Sequence, residues 1–554
     1  MSLSFKEQDA TLKSVSEKTY DLLIIGGGIN GVGIARDASM RGLSVLCVEQ
    51  SDLASGTSSR SSKLVHGGLR YLENFEFGLV FEALNERAKL LKMAPHLVHP
   101  LRFVIPLYAG DRVSPFKMKM GMVLYDILSL YKAPKAHEYL TAPQTFQRVK
   151  NIRQQDLKGA FVYSDAYMDD DRLVIETARS AKSYGAEFLT FVKAQKLNPE
   201  SLGRGVKEVE LLDTQTGVIH NVRARHVVST VGPWTDQVGE TLLPDWKPRM
   251  RPTKGVHLTL SRMDFPLEDA VVMAADQQKR IIFAIPRHEM VIIGTTDTDY
   301  SSDPSQVRTT QDDVEYLLKI VEEYFPEAKV TKETLVSTYS GVRPLVNDGS
   351  GSASKVSREH TIISDPRGVT FLMGGKYTTY RLMAQQTVDV VLKQFSKEER
   401  RNLRRASTAK PLNPKVDVKS FKEAMSRIHE LENKTELTHL QCKMLVERHG
   451  LEAWDIVEYG PYKYIWEYEA AHAVRHTYCA RLVDFYTRRV PLFLSKKDHG
   501  FKFLNRIGKV FKDYYGWDQE RLEQEYKLLF DHYSAESEWK GLTGAISMDK
   551  IEYI

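Results

Sequence analysis

Cysteine is scarce: the 554 residues hold only Cys47, Cys442 and Cys479. No pair has the C-x-x-C spacing of a redox or metal site. An odd, sparse set argues against a disulfide framework and fits a reducing compartment. Long apolar runs are missing too, and no stretch approaches the ~18 residues that a membrane-crossing helix needs. The N-terminal stretch SFKEQDATLKSVSEKT is polar, so no secretory leader is expected and the chain is placed in the cytoplasm. Neither sign of charge dominates. The 77 Lys and Arg against 72 Asp and Glu leave a formal charge of +5. That balance calls for no nucleic-acid partner, yet it allows a local basic face toward anionic lipid or a phosphorylated substrate. Internal repeats, long low-complexity segments, a Walker lysine motif and a serine nucleophile elbow are all absent. His472 and His476 are four residues apart on one expected helix face. Ala473 stands where an HExxH glutamate would be and no third ligand is evident, so no metal is expected.

What is present begins with Tyr20 to Tyr71. Leu22–Ile25 reads as a buried parallel strand. Gly26, Gly28 and Gly31 follow at G-x-G-x-x-G spacing, and a helical pattern runs to about Arg41, with Gly42 at its C-cap. Ser44 to Val48 reads as a second strand and Glu49 ends it. Each part has a physical job. Gly26 permits a tight turn, Gly28 lets backbone approach a pyrophosphate, and Gly31 lets the helix pack on the strand. The helix N-terminus offers N–H groups and a positive dipole end to phosphate. Glu49 lies where a carboxylate binds ribose hydroxyls. Gly26, Gly28, Ile29, Asn30, Gly31 and Glu49 are therefore candidate dinucleotide contacts.

A second glycine-then-helix element comes late in the chain. VTFLM (369–373) reads as a strand, Gly374–Gly375–Lys376 follows, and Thr378, Thr379 and Tyr380 open a helix. Two such elements far apart suit FAD, a cofactor with two ends to hold, better than NAD. Gly375, Lys376 and Thr378 join the candidate cofactor contacts.

The segment TSSRSSKLVHGGLRYLENFEFGLVFEALNERAKLLKMAPHLVHP closely resembles the FAD-dependent, aerobic respiratory glycerol-3-phosphate dehydrogenases. So do YSDAYMDDDRL, STVGPW, KGVHL, IGTTDTDY, TYSGVRPL and MGGKYTTYR, in family order. The resemblance implies an α/β fold of three parts: a Rossmann-type FAD-binding domain, a mostly antiparallel β-sheet substrate domain of the amino-acid-oxidase kind, and an all-α C-terminal domain. It makes the hydroxyl-rich loop with Thr57, Ser58, Ser59, Ser61 and Ser62 cofactor-binding, with Gly232 near the cofactor. It carries substrate contacts to Arg70, Tyr71, Arg343, Arg358 and Lys376. Four cations suit the nearly two negative charges of a glycerol phosphate. The implied reaction oxidises glycerol 3-phosphate to dihydroxyacetone phosphate. The electrons pass to a quinone, and attachment to the cytoplasmic face of the cell membrane is peripheral. His257 is the first choice of base and His66 the second, since imidazole titrates near neutral pH; Arg343 is a third group able to polarise the hydroxyl. The rival readings are an oxidase using oxygen, an amine or amino-acid oxidase, and a non-catalytic flavin sensor. A homo-oligomer is left open.

The expected organisation is an extension at 1–19, mobile or loosely packed; FAD-binding parts at 20–110, 151–240 and 336–398; a substrate- or membrane-facing segment at 111–150; a substrate domain at 241–335; a linker at 399–415; and a helical domain at 416–554. Pro115 to Lys132 is a candidate membrane-surface helix. Asp165 to Arg172 reads as an acidic loop, with Asp170 and Asp171 complementing the dipole of the next helix. Glu467 to Val490 is the clearest C-terminal helix.

Overall fold

The computed structural model describes residues 3–130, 132–275, 280–347, 349 and 359–541, apart from the side chains of Arg70, Glu73 and Asn74. Two sheets organise the first two thirds of the chain. The first sheet centres on the strand Thr19–Ile25, where Leu22, Leu23 and Ile24 are all fully buried. Burial on both faces is why this strand is a continuous apolar run rather than an alternating one. It pairs in parallel with Val45–Glu49 on one side and Ile219–Ser229 on the other. Glu187–Thr190 and Val369–Gly374 extend the parallel order outward. The hairpin partner His360–Asp365 and the meander Val192–Leu197, Lys207–Asp213 close its edges antiparallel. Helices Ile29–Arg41, Asp170–Ser183 and Tyr380–Leu392 cover one face. The first of these ends on Gly42 in the left-handed region at φ 98°.

The second sheet has ten strands. Its order is Thr298–Asp299, Thr253–Ser261, Met290–Gly294, Arg280–Arg287, Ala270–Ala275, Val98–Tyr108, Leu157–Met168 and Leu64–Val65. Leu335–Arg343 pairs with Thr253–Ser261, and Glu138–Thr141 with Leu157–Met168. All pairs are antiparallel except Ala270–Ala275 against Val98–Tyr108. This membership corrects the expected boundaries. The expected bounds place Val98–Tyr108, Leu157–Met168 and nearly all of Leu335–Arg343 in FAD-binding parts and set 111–150 apart. The structure puts all three strands, and Glu138–Thr141, in the second sheet. Which sheet a strand joins is decided by partners elsewhere in the chain, such as Thr253–Ser261 for Leu335–Arg343, and local apolar pattern carries no such information.

The remaining third is helical, from Val418 to Ser537, around its own core of residues such as Leu445, Trp466, Phe485 and Phe511. The expected long helix at 467–490 is broken. Ile465–His476 and Leu482–Arg488 flank an irregular turn in which Tyr478 takes φ 48°. Both pieces pack into one core, so the apolar pattern runs on across the break.

Three further expectations change. The N-terminal extension is not loose: Phe5–Ser14 is a helix, Leu3 is fully buried, and Gln8 both donates to Thr190 O at 2.9 Å and accepts from Thr190 N at 2.9 Å. Two anchors hold it despite its polar composition. The linker is strapped down, because Arg36 donates to Thr408 O at 2.6 Å and Lys410 O at 3.0 Å, and Leu412 is fully buried. Most of the expected acidic loop is regular structure, and its acids are buried. Asp165 lies inside the strand Leu157–Met168, ion-paired with Arg87 and accepting from Tyr125 Oη at 2.7 Å. Asp169 pairs with Arg287, and Asp170 with Lys63. Asp170 and Asp171 do occupy the first helical turn. The cationic partners come from other parts of the chain, so sequence spacing could not show them.

Candidate active site

A cavity of about 690 Å³ lies between the two sheets. The turn after Thr19–Ile25 forms its floor. Gly26 sits at φ 106°, and a Cβ there would stand 2.9 Å from Thr230 O. Gly31 has no room at all, since its Cβ would fall 1.9 Å from Gly26 O. The turn and the start of the helix therefore approach more closely than any side chain allows. Glu49 accepts from Gly27 N at 2.8 Å and Ser51 N at 3.0 Å. Burial pushes its carboxyl up, against the pull of those two N–H bonds.

The loop after Glu49 walls the cavity with Ser55, Gly56, Thr57, Ser58, Ser61 and Ser62. Its hydroxyls also hold the protein together. Ser58 Oγ accepts from Ile29 N at 3.0 Å, at the N-terminus of the glycine helix. Thr57 Oγ1 donates to Val342 O at 2.6 Å, and Ser61 Oγ to Asp170 at 2.7 Å. Beneath them Lys63 and Asp170 form a buried ion pair, and Lys63 Nζ also donates to Ser59 O at 3.1 Å.

The opposite wall comes from the second sheet. His257, on Thr253–Ser261, stacks on Tyr339 with centroids 4.7 Å apart and planes 12° apart. Gly294 makes room for the ring, as a Cβ there would lie 2.3 Å from His257 Cδ2. His257 Nε2 shares a 2.8 Å hydrogen bond with Ser62 Oγ, and its Nδ1 is buried without a hydrogen-bond partner among the described residues. Burial, and then the charges of Arg343 and Lys63, hold its pKa well below the usual histidine value. The imidazole is neutral at pH 7. Arg343 ends its strand with Nη1 2.9 Å from Asp297 Oδ1 and Nη2 3.0 Å from both Thr295 Oγ1 and Thr296 O. Lys376 Nζ stands 3.6 Å above the Tyr71 ring. His66 N donates to Thr378 Oγ1 at 3.3 Å, which ties the HGGLRY stretch to the late glycine element.

Thus the cavity gathers Gly26, Gly28, Ile29, Asn30, Glu49, Thr57, Ser58, Ser61 and Ser62 from the start of the chain. It brings to them His66, Tyr71, Gly232, His257, Arg343, Gly375, Lys376 and Thr378. Gly31 and Ser59 are not on its surface: Gly31 packs the helix, and Ser59 serves Lys63 through its carbonyl. Arg358 and the side chain of Arg70 lie outside the described residues. Sequence reasoning missed Arg60, Thr230, Trp234 and Tyr377, which also line the cavity. Arg60 could have been noticed as a cation in the middle of the hydroxyl-rich loop.

The cradle fits FAD on its own geometry. The glycine turn excludes side chains where a pyrophosphate would lie, Glu49 is held by backbone at the ribose position, and the late glycines face them across one continuous space. In the helical domain, His449, Glu452 and His472 bring ligand-type atoms within 4.8 Å of one another. There Arg179 occupies both Glu452 oxygens and Glu469 holds His449, so a cation would have to displace existing partners.

Comparison with known proteins agrees. The family model for FAD dependent oxidoreductase matches residues 21–381, and that for the C-terminal domain of alpha-glycerophosphate oxidase matches 419–522. An aerobic glycerol-3-phosphate dehydrogenase of Staphylococcus aureus is 38% identical over 398 residues, 72% of this chain and 71% of the relative. The structure of glycerol-3-phosphate dehydrogenase from Bacillus halodurans complexed with FAD superposes with a TM-score of 0.78 at 27% identity, covering 96% of this chain and 98% of that one. L-alpha-glycerophosphate oxidase from Mycoplasma pneumoniae, with FAD bound, shares the fold at TM-score 0.52 and 16% identity, over 68% of this chain and 95% of that one.

Proposed function

The chain belongs to the FAD-dependent oxidoreductase family, and from that premise we propose that it oxidises sn-glycerol 3-phosphate to dihydroxyacetone phosphate and passes the electrons to a quinone. The observation that carries this reading is the meeting, in one cavity, of the dinucleotide cradle with Arg343, Lys376 and a neutral imidazole. An amine or amino-acid substrate gives less reason for more than one cation at that wall.

Bound FAD supplies the acceptor for the hydrogen leaving C2 as hydride. The protein supplies everything else. Arg343 is preset by Asp297 and Thr296, and its planar fork suits an oxyanion. Arg70 and Arg358 join it on the strength of their motifs. Lys376 places a positive charge beside the late glycine turn, where it stabilises negative charge developing in the cavity. His257 Nε2 accepts the hydroxyl proton. Its low pKa keeps it unprotonated and available throughout the neutral range.

The acceptor reading draws on an apolar face. Pro115–Leu128 is a helix capped by Ser114, and it exposes Phe116 (73%), Met120, Val123 and Ile127. Phe75 (77%) and Leu130 add to this apolar surface, and Lys117 and Lys119 are exposed on the same helix. An apolar stripe with lysines is the pattern of a helix lying in a membrane interface. No helix among the described residues is long and apolar enough to cross a membrane. A quinone-linked enzyme gains direct access to its acceptor by resting this face on the bilayer.

The experiment is turnover with glycerol 3-phosphate and either a soluble quinone analogue or oxygen, with hydrogen peroxide measured throughout. Quinone reduction without peroxide supports the dehydrogenase. Peroxide at the rate of substrate loss makes the chain an oxidase. Adding anionic vesicles tests the face, with Phe116→Ser/Ile127→Ser expected to abolish vesicle binding but not turnover with the soluble acceptor.

A further inference from the structure

We propose that the C-terminal helical domain is a clamp on the cofactor loop, holding residues 52–60 at both ends so that the FAD cradle stays preformed. The inference rests on the FAD reading and not on the identity of the substrate.

The first anchor is Asp52. It is almost fully buried, and its carboxylate receives Arg489 as a two-pronged fork, Nη1 to Oδ2 and Nη2 to Oδ1, both at 2.8 Å. Arg488 Nε adds a third contact at 2.6 Å. Both arginines stand at the C-terminal end of Leu482–Arg488, where cations complement the helix dipole. Arg489 is itself braced, donating from Nε to Thr477 Oγ1 at 2.9 Å and from Nη2 to Thr477 O at 2.8 Å. The anchor transmits directly to the cradle. Ala54 N donates to Gly27 O at 3.2 Å, and a Cβ on Gly27 would stand 2.8 Å from Leu53 Cδ2. The loop next to Asp52 is therefore pressed onto the glycine turn.

The second anchor is Glu536, near the end of the helix Gln519–Ser537. Its Oε1 accepts from Arg60 Nη1 at 2.9 Å, and its carbonyl accepts from Thr338 Oγ1 at 3.1 Å. Arg60 Nη1 also donates to Ser340 O at 3.0 Å. Between the two anchors lie Ser55, Gly56, Thr57 and Ser58, all on the cavity surface. Ser58 in turn holds Ile29 N at the head of the glycine helix. Among the described residues, the side-chain hydrogen bonds that Asp52 and Arg60 make at the two ends of this wall go to the helical domain or to the strand Leu335–Arg343. Asp52, Arg488, Arg489 and Glu536 do not line the cavity, so they are positioning residues. They act by removing the cost of ordering the loop when the cofactor binds.

The test is FAD affinity of the full chain. Apoprotein is titrated with FAD by flavin fluorescence, and the melting temperature of each apoprotein is recorded. Arg489→Leu and Glu536→Gln should each raise the FAD dissociation constant about tenfold or more, as expected when preorganisation is lost. Arg489→Lys, which keeps the charge but not the fork, should weaken binding less than Arg489→Leu. Asp52→Asn with Arg489→Leu should be no worse than Arg489→Leu alone, because both remove one clamp. Arg489→Leu with Glu536→Gln should multiply the two losses. Glu536→Gln keeps the hydrogen-bonding shape and carries the test if Arg489→Leu does not fold. Folded variants that bind FAD within twofold of the parent would overturn the proposal, as would variants that lose melting temperature alone. A parent chain that binds no FAD would refute the cofactor reading itself, whereas a parent that binds FAD but ignores glycerol 3-phosphate leaves this test intact.

Discussion

Arg343→Lys probes how the cavity recognises its substrate. The guanidinium spends Nη1 on Asp297 Oδ1 at 2.9 Å and Nη2 on Thr295 Oγ1 and Thr296 O at 3.0 Å each. Nη1 also reaches Lys254 O at 3.5 Å, so the planar fork is held in place with its charge toward the cavity, where it attracts an oxyanion. A lysine has one ammonium on a flexible stem and cannot hold Asp297, Thr296 and a phosphate oxygen together. The variant therefore loses about one charge-assisted hydrogen bond to the ligand, worth roughly 1.5–3 kcal/mol. At 1.4 kcal/mol per decade, that is roughly a 10- to 150-fold weaker complex. The assay is anaerobic stopped-flow reduction across a range of glycerol 3-phosphate concentrations, which separates the dissociation constant from the limiting rate. The account predicts the constant to rise by that factor while the limiting rate stays within about threefold, as for a lost binding contact. An unchanged dissociation constant with a collapsed limiting rate would refute the reasoning and move Arg343 onto the reacting hydroxyl.

Lys63→Met strands Asp170, whose side chain is fully buried, and should cost about 3–5 kcal/mol, because an uncompensated charge stays in the interior. Urea unfolding measures it; a loss below about 1 kcal/mol contradicts the buried pair, and adding Asp170→Asn should recover part of the loss. The limiting reduction rate should show no acid limb centred near ~6.5, because His257 titrates well below that usual value; such a limb would contradict the depressed pKa of the buried imidazole. Asp484, buried beside Asp52, is pushed up to about 7 by desolvation and then by the charge of Asp52. The folded chain then keeps a proton that the unfolded chain releases near pH ~3.9, so stability from this group falls as pH rises between about 4 and 7. Asp484→Asn should flatten that slope in thermal melts across the window, and an unchanged slope would contradict it.

What could be read from sequence was local. The strand, turn and helix around Gly26, Gly28 and Gly31 announce themselves because each step is a near-neighbour constraint, and the structure places them as read. Glu49 was legible for the same reason. The second-sheet wall of the cavity was legible in some of its residues but not in its architecture. His257 and Arg343 stand in the motifs KGVHL and TYSGVRPL, yet nothing local shows that Leu335–Arg343 pairs with Thr253–Ser261 in the second sheet. The acids at 165–171 show the limit most plainly. They read as an acidic loop at a helix start, and only the fold reveals Arg87, Lys63 and Arg287 as their partners. Arg60 was hidden among serines, and nothing in its neighbourhood announces Glu536, some 476 residues away.

The central claim is that this cavity takes hydride from glycerol 3-phosphate. The direct measurement is to mix the FAD-loaded protein with glycerol 3-phosphate, without oxygen or quinone, and follow flavin absorbance. The account predicts rapid bleaching with one dihydroxyacetone phosphate formed per flavin, and none with glycerol or an amino acid. A folded, FAD-loaded protein that stays yellow would contradict it.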